Sequence, residues 1–234
     1  MEGWVARWYA RTRRNDMADF RRRAAEVAAR LDGRGEVLEV APGPGFFAIE
    51  LAKLGDFRIT GLDISRTFVE IATANAAKVG AAVDFRVGNA SAMPFGDASF
   101  DFVYCSAAFK NFAEPVKVLD EMHRVLRDGG EAVILDLRKD AAIEEIDAYV
   151  RESGRTMLDA WITKQTFRQL LIRRAYTKEA FERMAAKSRF GVCRMNVESI
   201  GLEVRLDRAS VVPRPREAPI RPVDDSRRPA GPGD

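Results

Sequence analysis

The segment Glu36-Val-Leu-Glu-Val-Ala-Pro-Gly-Pro-Gly-Phe46 governs the reading of this chain. Val37, Leu38 and Val40 form a short apolar run that reads as a buried strand. A turn of alternating glycine and proline follows, and Phe47, Ile49, Leu51, Ala52 and Leu54 continue as a helix. Gly43 and Gly45 let the backbone bend freely and approach a ligand with no Cβ in the way. A strand that feeds a helix through glycines presents a ligand site at its carboxyl end, against the helix N-terminus.

Strand and helix patterns then alternate. Arg58-Ile-Thr-Gly-Leu-Asp63 reads as a second strand, with a helix over 66–79 after it. Val83–Val87, Phe100–Cys105 and Glu131–Asp136 supply three more strands. Pro115 opens a helix through Val116, Leu119, Met122 and Leu126, which Gly129 and Gly130 close. Upstream, Met17, Phe20, Ala24, Val27, Ala28 and Leu31 recur at helical spacing, with Asn15 or Asp16 as cap and Arg21, Arg22, Arg23 and Arg30 mostly off the apolar face. Thr177 caps a late helix. Phe190–Val197 and Ile200–Leu206 end the fold as an antiparallel hairpin. Leu202, Val204 and Leu206 alternate there with Glu203, Arg205 and Asp207, which predicts a half-solvated strand. The expected fold class is therefore α/β: a Rossmann-like, mostly parallel seven-stranded sheet with helices on both faces.

The length of 234 residues suits one domain. The two cysteines, Cys105 and Cys193, stand far apart, and with a single histidine they argue against a dedicated metal site. They fit a reducing, cytoplasmic setting. No run approaches the roughly 20 apolar residues of a membrane span. Arginine is unevenly spread, with nine against five acidic residues over 1–35. Such a surface attracts anionic substrates, RNA or lipid headgroups, and leaves room for weak peripheral membrane contact.

Four blocks in order resemble class I S-adenosylmethionine-dependent methyltransferases, in particular the small-molecule branch of quinone-biosynthesis and sterol enzymes. They are Leu38-Glu-Val-Ala-Pro-Gly-Pro-Gly45, Gly61-Leu-Asp-Ile-Ser65, Gly88-Asn-Ala-Ser-Ala-Met-Pro-Phe95, and Ser99-Phe-Asp-Phe-Val-Tyr-Cys-Ser106 leading to Glu121-Met-His-Arg-Val-Leu-Arg-Asp-Gly-Gly130. Two positions depart from the pattern. Ala41 stands where the first glycine usually sits, and Asn89 replaces the usual aspartate near adenine, though its carbonyl still accepts a hydrogen bond.

The resemblance implies S-adenosylmethionine as cofactor. It brings Gly43 and Gly45 close to the methionine portion, Glu39 to its amino group, and Asp63 to the two ribose hydroxyls. Ile64 and Met93 sandwich adenine, Asn89 and the Ala90 N–H read its edge, and Cys105 and Ser106 lie beneath the sulfonium. Trp4, Trp8 and Tyr9 form an aromatic lid. Lys110 stands where many relatives carry a histidine pair, as a contact for an anionic acceptor or as a base. The domain spans 1–207, with 1–35 as helical lid, 141–173 as acceptor cap (Trp161, Phe167 and Arg168 its lining) and 208–234 as a disordered Pro/Arg-rich tail.

The function implied is methyl transfer to a small molecule, aligned by the protein with water excluded. A nucleic-acid methyltransferase is the alternative, but the Asn-Pro-Pro-aromatic and Pro-Cys signatures are absent. A non-catalytic cofactor-binding protein is a further one. Gly43-Pro-Gly-Phe-Phe-Ala48 also matches the dinucleotide fingerprint of a dehydrogenase, which the third and fourth blocks do not suit.

Overall fold

The computed structural model describes residues 2–152 and 174–209. Most of the expected cap and all but two residues of the expected tail lie outside the described residues. The sheet runs β3-β2-β1-β4-β5-β7-β6. Its strands are β1 Arg34–Val40, β2 Asp56–Asp63, β3 Val83–Val87, β4 Phe100–Ser106, β5 Leu126–Leu137, β6 Arg194–Glu198 and β7 Gly201–Asp207. β1 to β5 pair in parallel, while β7 is antiparallel to both β5 and β6. The order reverses between β1 and β4, where sheets of this kind open a crevice beyond their carboxyl ends.

The helices are α1 Gly3–Thr12, α2 Met17–Arg30, α3 Phe46–Leu51, α4 Arg66–Val79, α5 Pro115–Val125, α6 Ile143–Glu152 and α7 Lys178–Lys187. One core joins α5 and α7 to Leu38, Val40, Val103, Cys105, Ile134 and Val204. The other joins α2, α3 and α4 to Val37, Ile59, Phe102, Tyr104 and Val133 on the opposite face. Capping follows the sequence: Ser65 Oγ accepts from Phe68 N at 3.2 Å, and Thr177 Oγ1 from Ala180 N at 3.3 Å.

Three expectations are corrected. Gly129 and Gly130 do not cap a helix, because α5 already ends at Val125 and they lie inside β5. The β4–β5 register shifts there, from Phe100↔Leu126 to Phe102↔Glu131. Gly129 is left-handed at φ 81°, and a Cβ on Gly130 would stand 2.9 Å from the Asp101 carbonyl, so the pair forms a bulge. Glu203 is buried rather than solvated. It accepts from Arg23 at 3.2 Å and pairs with Arg205, while Arg30 lies 3.9 Å away. Arg23 also pairs with Glu198, so arginines of α2 reach across and seal the hairpin's second face with ion pairs. Third, Arg208 is ordered: its backbone pairs with Gly129 and Gly130, and its guanidinium donates to the His123 and Arg124 carbonyls at 3.1 Å.

Candidate functional site

The turn after β1 is built from both sides. Ala41 N donates to the Leu62 carbonyl at 2.7 Å, so the chain leaves β1 still tied to β2. Ala41 then takes φ 56°, a left-handed conformation a glycine would hold without strain. Gly43 and Gly45 are left-handed too, at φ 54° and 77°, for different reasons. A Cβ on Gly45 would lie 2.6 Å from Phe85 Cζ and 2.9 Å from Ala72 Cβ, and one on Gly61 2.4 Å from Phe85 Cδ1. Those two glycines admit the Phe85 ring beneath the turn. A Cβ on Gly43 would meet only Tyr9 Cε1, at 4.0 Å. Gly43 is thus the position where backbone is bare toward the site, and Tyr9 of α1 lies beside it.

Two acids meet at this turn. Glu39 and Asp63 follow the alternation of Val37 and Ile59 onto the α2–α3–α4 face, on neighbouring strands. The Glu39 carboxylate is buried and accepts from Ala48 N at 3.2 Å. Burial, reinforced by the charge of Asp63, pushes its pKa up to about 8, against the pull of that backbone bond. Asp63 is buried as well, and accepts from Ser65 N at 2.8 Å through Oδ1 and from Gly43 N at 3.1 Å through Oδ2. Burial raises its pKa, and the two backbone donors oppose the rise. Each Asp63 oxygen keeps acceptor capacity. Neither acid forms an ion pair among the described residues.

The loop after β3 joins the same end. Gly88 N donates to the Asp63 carbonyl at 2.9 Å. Asn89 is exposed and holds its own loop, accepting from Ser91 N at 2.9 Å. Ala90 and Met93 are buried, whereas Ile64 is 70% exposed just past Asp63. Helix α5 clamps this loop: Glu121 accepts from Met93 N at 2.6 Å, and Arg124 donates to the Met93 and Phe95 carbonyls at 3.0 and 2.7 Å. Here lies a physical reason for the fourth sequence block to accompany the third.

Beyond β4, alternation separates two neighbours. Tyr104 pairs in register with Glu39, so Ser106 falls on the face of the acids. Cys105 points into the opposite core, fully buried, and burial pushes its thiol far up. Lys110 lies on that opposite side too. Its Nζ meets Asp136 Oδ1 at 2.6 Å and the Ala107 carbonyl at 2.8 Å, with the pair buried. Asp136 also accepts from Lys110 N at 2.9 Å and Leu137 N at 2.8 Å. The structure therefore gathers Tyr9, Glu39, Ala41, Gly43, Asp63 and Ser106 around one turn and holds Lys110 away from it, paired. The sequence reading missed two anchors. Asp136 carried no motif. Glu2 accepts from Arg66 N at 3.1 Å and Thr67 N at 3.2 Å, pinning α1 to the start of α4, and only its position ahead of an aromatic helix hinted at this.

The open groove of about 450 Å³, lined by Arg34, Glu36, Asp56, Arg58, Asp101 and Arg127, is at the other, amino end of the strands. Four of its charges pair with each other, Arg58 with Glu36 and Arg127 with Asp101, the latter at 2.8 Å. No cluster of metal-ligating side chains occurs among the described residues, and no described helix is long and apolar enough to cross a membrane.

Residues 38–134 match the family model described as a methyltransferase domain. The chain is 40% identical over 116 residues to a demethylmenaquinone methyltransferase of Deinococcus radiodurans, covering 49% of this chain and 48% of that protein. It thus spans about half the length of the curated relatives it matches. The fold is shared with an S-adenosylmethionine-dependent methyltransferase of Aquifex aeolicus (TM-score 0.60, 18% identity, covering 80% of this chain and 89% of that one). It is also shared with the plantazolicin methyltransferase BamL, solved with S-adenosylhomocysteine (TM-score 0.66, 14% identity, covering 87% and 90%). Family model and fold agree: residues 38–134 are similar to methyltransferase domains, and over that span to quinone-biosynthesis enzymes, in a fold shared with solved methyltransferases.

Proposed function

We propose that this chain binds S-adenosylmethionine at the β1–α3 turn and catalyses transfer of its methyl group to a small-molecule acceptor. The observation that carries this reading is the pair of buried acids, Glu39 and Asp63, at the glycine turn with no cationic partner among the described residues. Buried carboxylates call for compensation. A ligand bearing an ammonium and a sulfonium provides it, and a ribose diol suits the free acceptor capacity of Asp63. A dinucleotide would bring a pyrophosphate in place of a cation and leave the two buried acids uncompensated, which disfavours the dehydrogenase reading.

In this proposal Glu39 faces the amino group, Asp63 holds the ribose hydroxyls, and Gly43 gives bare backbone to the methionine portion. Ala41 and Gly45 shape the turn. Ile64 and Met93 flank adenine, with Asn89 and the Ala90 N–H at its edge. Ser106, with Cys105 behind it, floors the reaction centre, and Tyr9 closes over Gly43 and excludes water. The buried Lys110–Asp136 pair fixes the loop after β4, so Lys110 acts by positioning rather than as a base. Bound S-adenosylmethionine supplies an activated methyl on a good leaving group, and the chain's task is alignment and desolvation. The acceptor in this proposal is an apolar, quinone-like small molecule, in keeping with the similarity to quinone-biosynthesis enzymes. A cytoplasmic setting accords with Cys105 and Cys193 being free thiols.

The test is calorimetric titration with S-adenosylhomocysteine and, separately, NADH. Binding of the first alone is expected. Asp63→Ala, by deleting two hydrogen bonds to a charged acceptor, should weaken it about 100-fold with the fold intact by circular dichroism. Unchanged affinity in Asp63→Ala, or binding of NADH instead, contradicts the assignment.

A further inference from the structure

Helix α1 is inside out for a helix that serves only to cover a core. Its small residues point inward, Ala6 at 0% and Ala10 at 8% exposure, while Trp4 and Trp8 point outward at 79% and 58%. Arg7 and Arg11 share the outer stripe, exposed, and pair with no carboxylate among the described residues. The helix is anchored without its tryptophans. Gly3 N donates to Thr67 Oγ1 at 3.1 Å, Glu2 caps Arg66 and Thr67, and Tyr9 meets Phe68 edge-on at 5.8 Å. Packing therefore does not account for two indoles a turn apart in water. Burying them elsewhere would be favourable.

We propose that the outer stripe of α1, Trp4–Arg7–Trp8–Arg11, docks on an anionic lipid bilayer surface. Indoles settle at the headgroup level, and guanidiniums beside them pair with lipid phosphates. The stripe's own charge is complementary, since Arg7 and Arg11 are exposed and have no carboxylate partner among the described residues. A second copy of the chain is the poorer occupant. A two-fold contact through this stripe would set Arg7 and Arg11 against their own counterparts, and four side chains fall well short of the roughly 800 Å² per partner of a stable dimer. The inference does not depend on the catalytic reading. Where both hold, the helix that touches the membrane also carries Tyr9, the residue beside Gly43.

The experiment is co-sedimentation of the full chain with vesicles of phosphatidylcholine alone and of an equal mixture with phosphatidylglycerol. Binding is expected to the mixture, weakened by salt, with a blue shift of tryptophan emission. Trp4→Ala/Trp8→Ala should lower partitioning at least about tenfold, and Arg7→Glu/Arg11→Glu should erase the preference for anionic vesicles. Both variants should keep the wild-type Tm. Failure to bind the anionic vesicles, or partitioning indifferent to the tryptophan pair, overturns the proposal. So does a stripe-dependent dimer in sedimentation velocity, or stripe-dependent binding of single-stranded RNA, if either occurs without vesicle binding.

Discussion

Glu39→Gln should make the protein more stable and its ligand binding weaker, with the stability gain depending on pH. The Glu39 carboxyl titrates at about 8 in the folded chain against an ordinary value of 4.5. At about 1.4 kcal/mol per pH unit, ionising it in place costs on the order of 5 kcal/mol. Between those two values the folded chain holds a proton that the unfolded chain releases. Wild-type stability therefore falls as pH rises through that window and levels off above about 8. Glutamine retains an acceptor for Ala48 N and does not titrate. Urea unfolding of both proteins from pH 5 to 9 should give a difference that is small at the acid end and grows toward several kcal/mol at the alkaline end. Titrating groups remote from Glu39 cancel in that difference, and the neighbouring Asp63 adds to it with the same sign. Titration with S-adenosylhomocysteine at pH 7 completes the assay. Wild type should release up to about one proton on binding as the arriving ammonium ionises Glu39, and the variant should bind weakly with no such release. A pH-independent stability difference would refute the reasoning, because Glu39 would then be charged in the free protein or untouched by burial.

Three further outcomes follow from the same geometry. Gly45→Ala should cost about 3 kcal/mol, from the left-handed φ and the 2.6 Å approach to Phe85, while Gly43→Ala should cost about 1 kcal/mol and act on ligand affinity; urea unfolding and calorimetry separate them. Lys110→Met strands Asp136 in the core and should cost about 3–5 kcal/mol, most of it regained in Lys110→Met/Asp136→Asn, as measured by urea unfolding. Ala41→Gly relieves a strained φ of 56° at some entropic cost and should raise Tm by about 1–3 °C; a fall in Tm would show that the alanine is at ease there.

The sheet was legible because its strands carry apolar runs at a spacing that only alternating helices satisfy. The turn was legible because glycine and proline mark it locally. Long-range pairing of charge was hidden. Glu203 reads as a solvent-facing position until Arg23, 180 residues earlier, folds across it. Lys110 reads as an acceptor contact or a base until Asp136, from the next strand, pairs with it in the core. The glycines of β5 resemble a helix stop because a bulge and a C-cap need the same left-handed residue. Gly45 resembles Gly43 in sequence, yet its bareness admits Phe85 from β3, a contact that no local pattern records.

A crystal structure of the chain with S-adenosylhomocysteine tests the central claim most directly. The account predicts the nucleoside against Gly43, its ribose hydroxyls on the Asp63 carboxylate and its ammonium beside Glu39. A ligand seated away from the two acids, or crystals that take up none at saturating concentration, would contradict it.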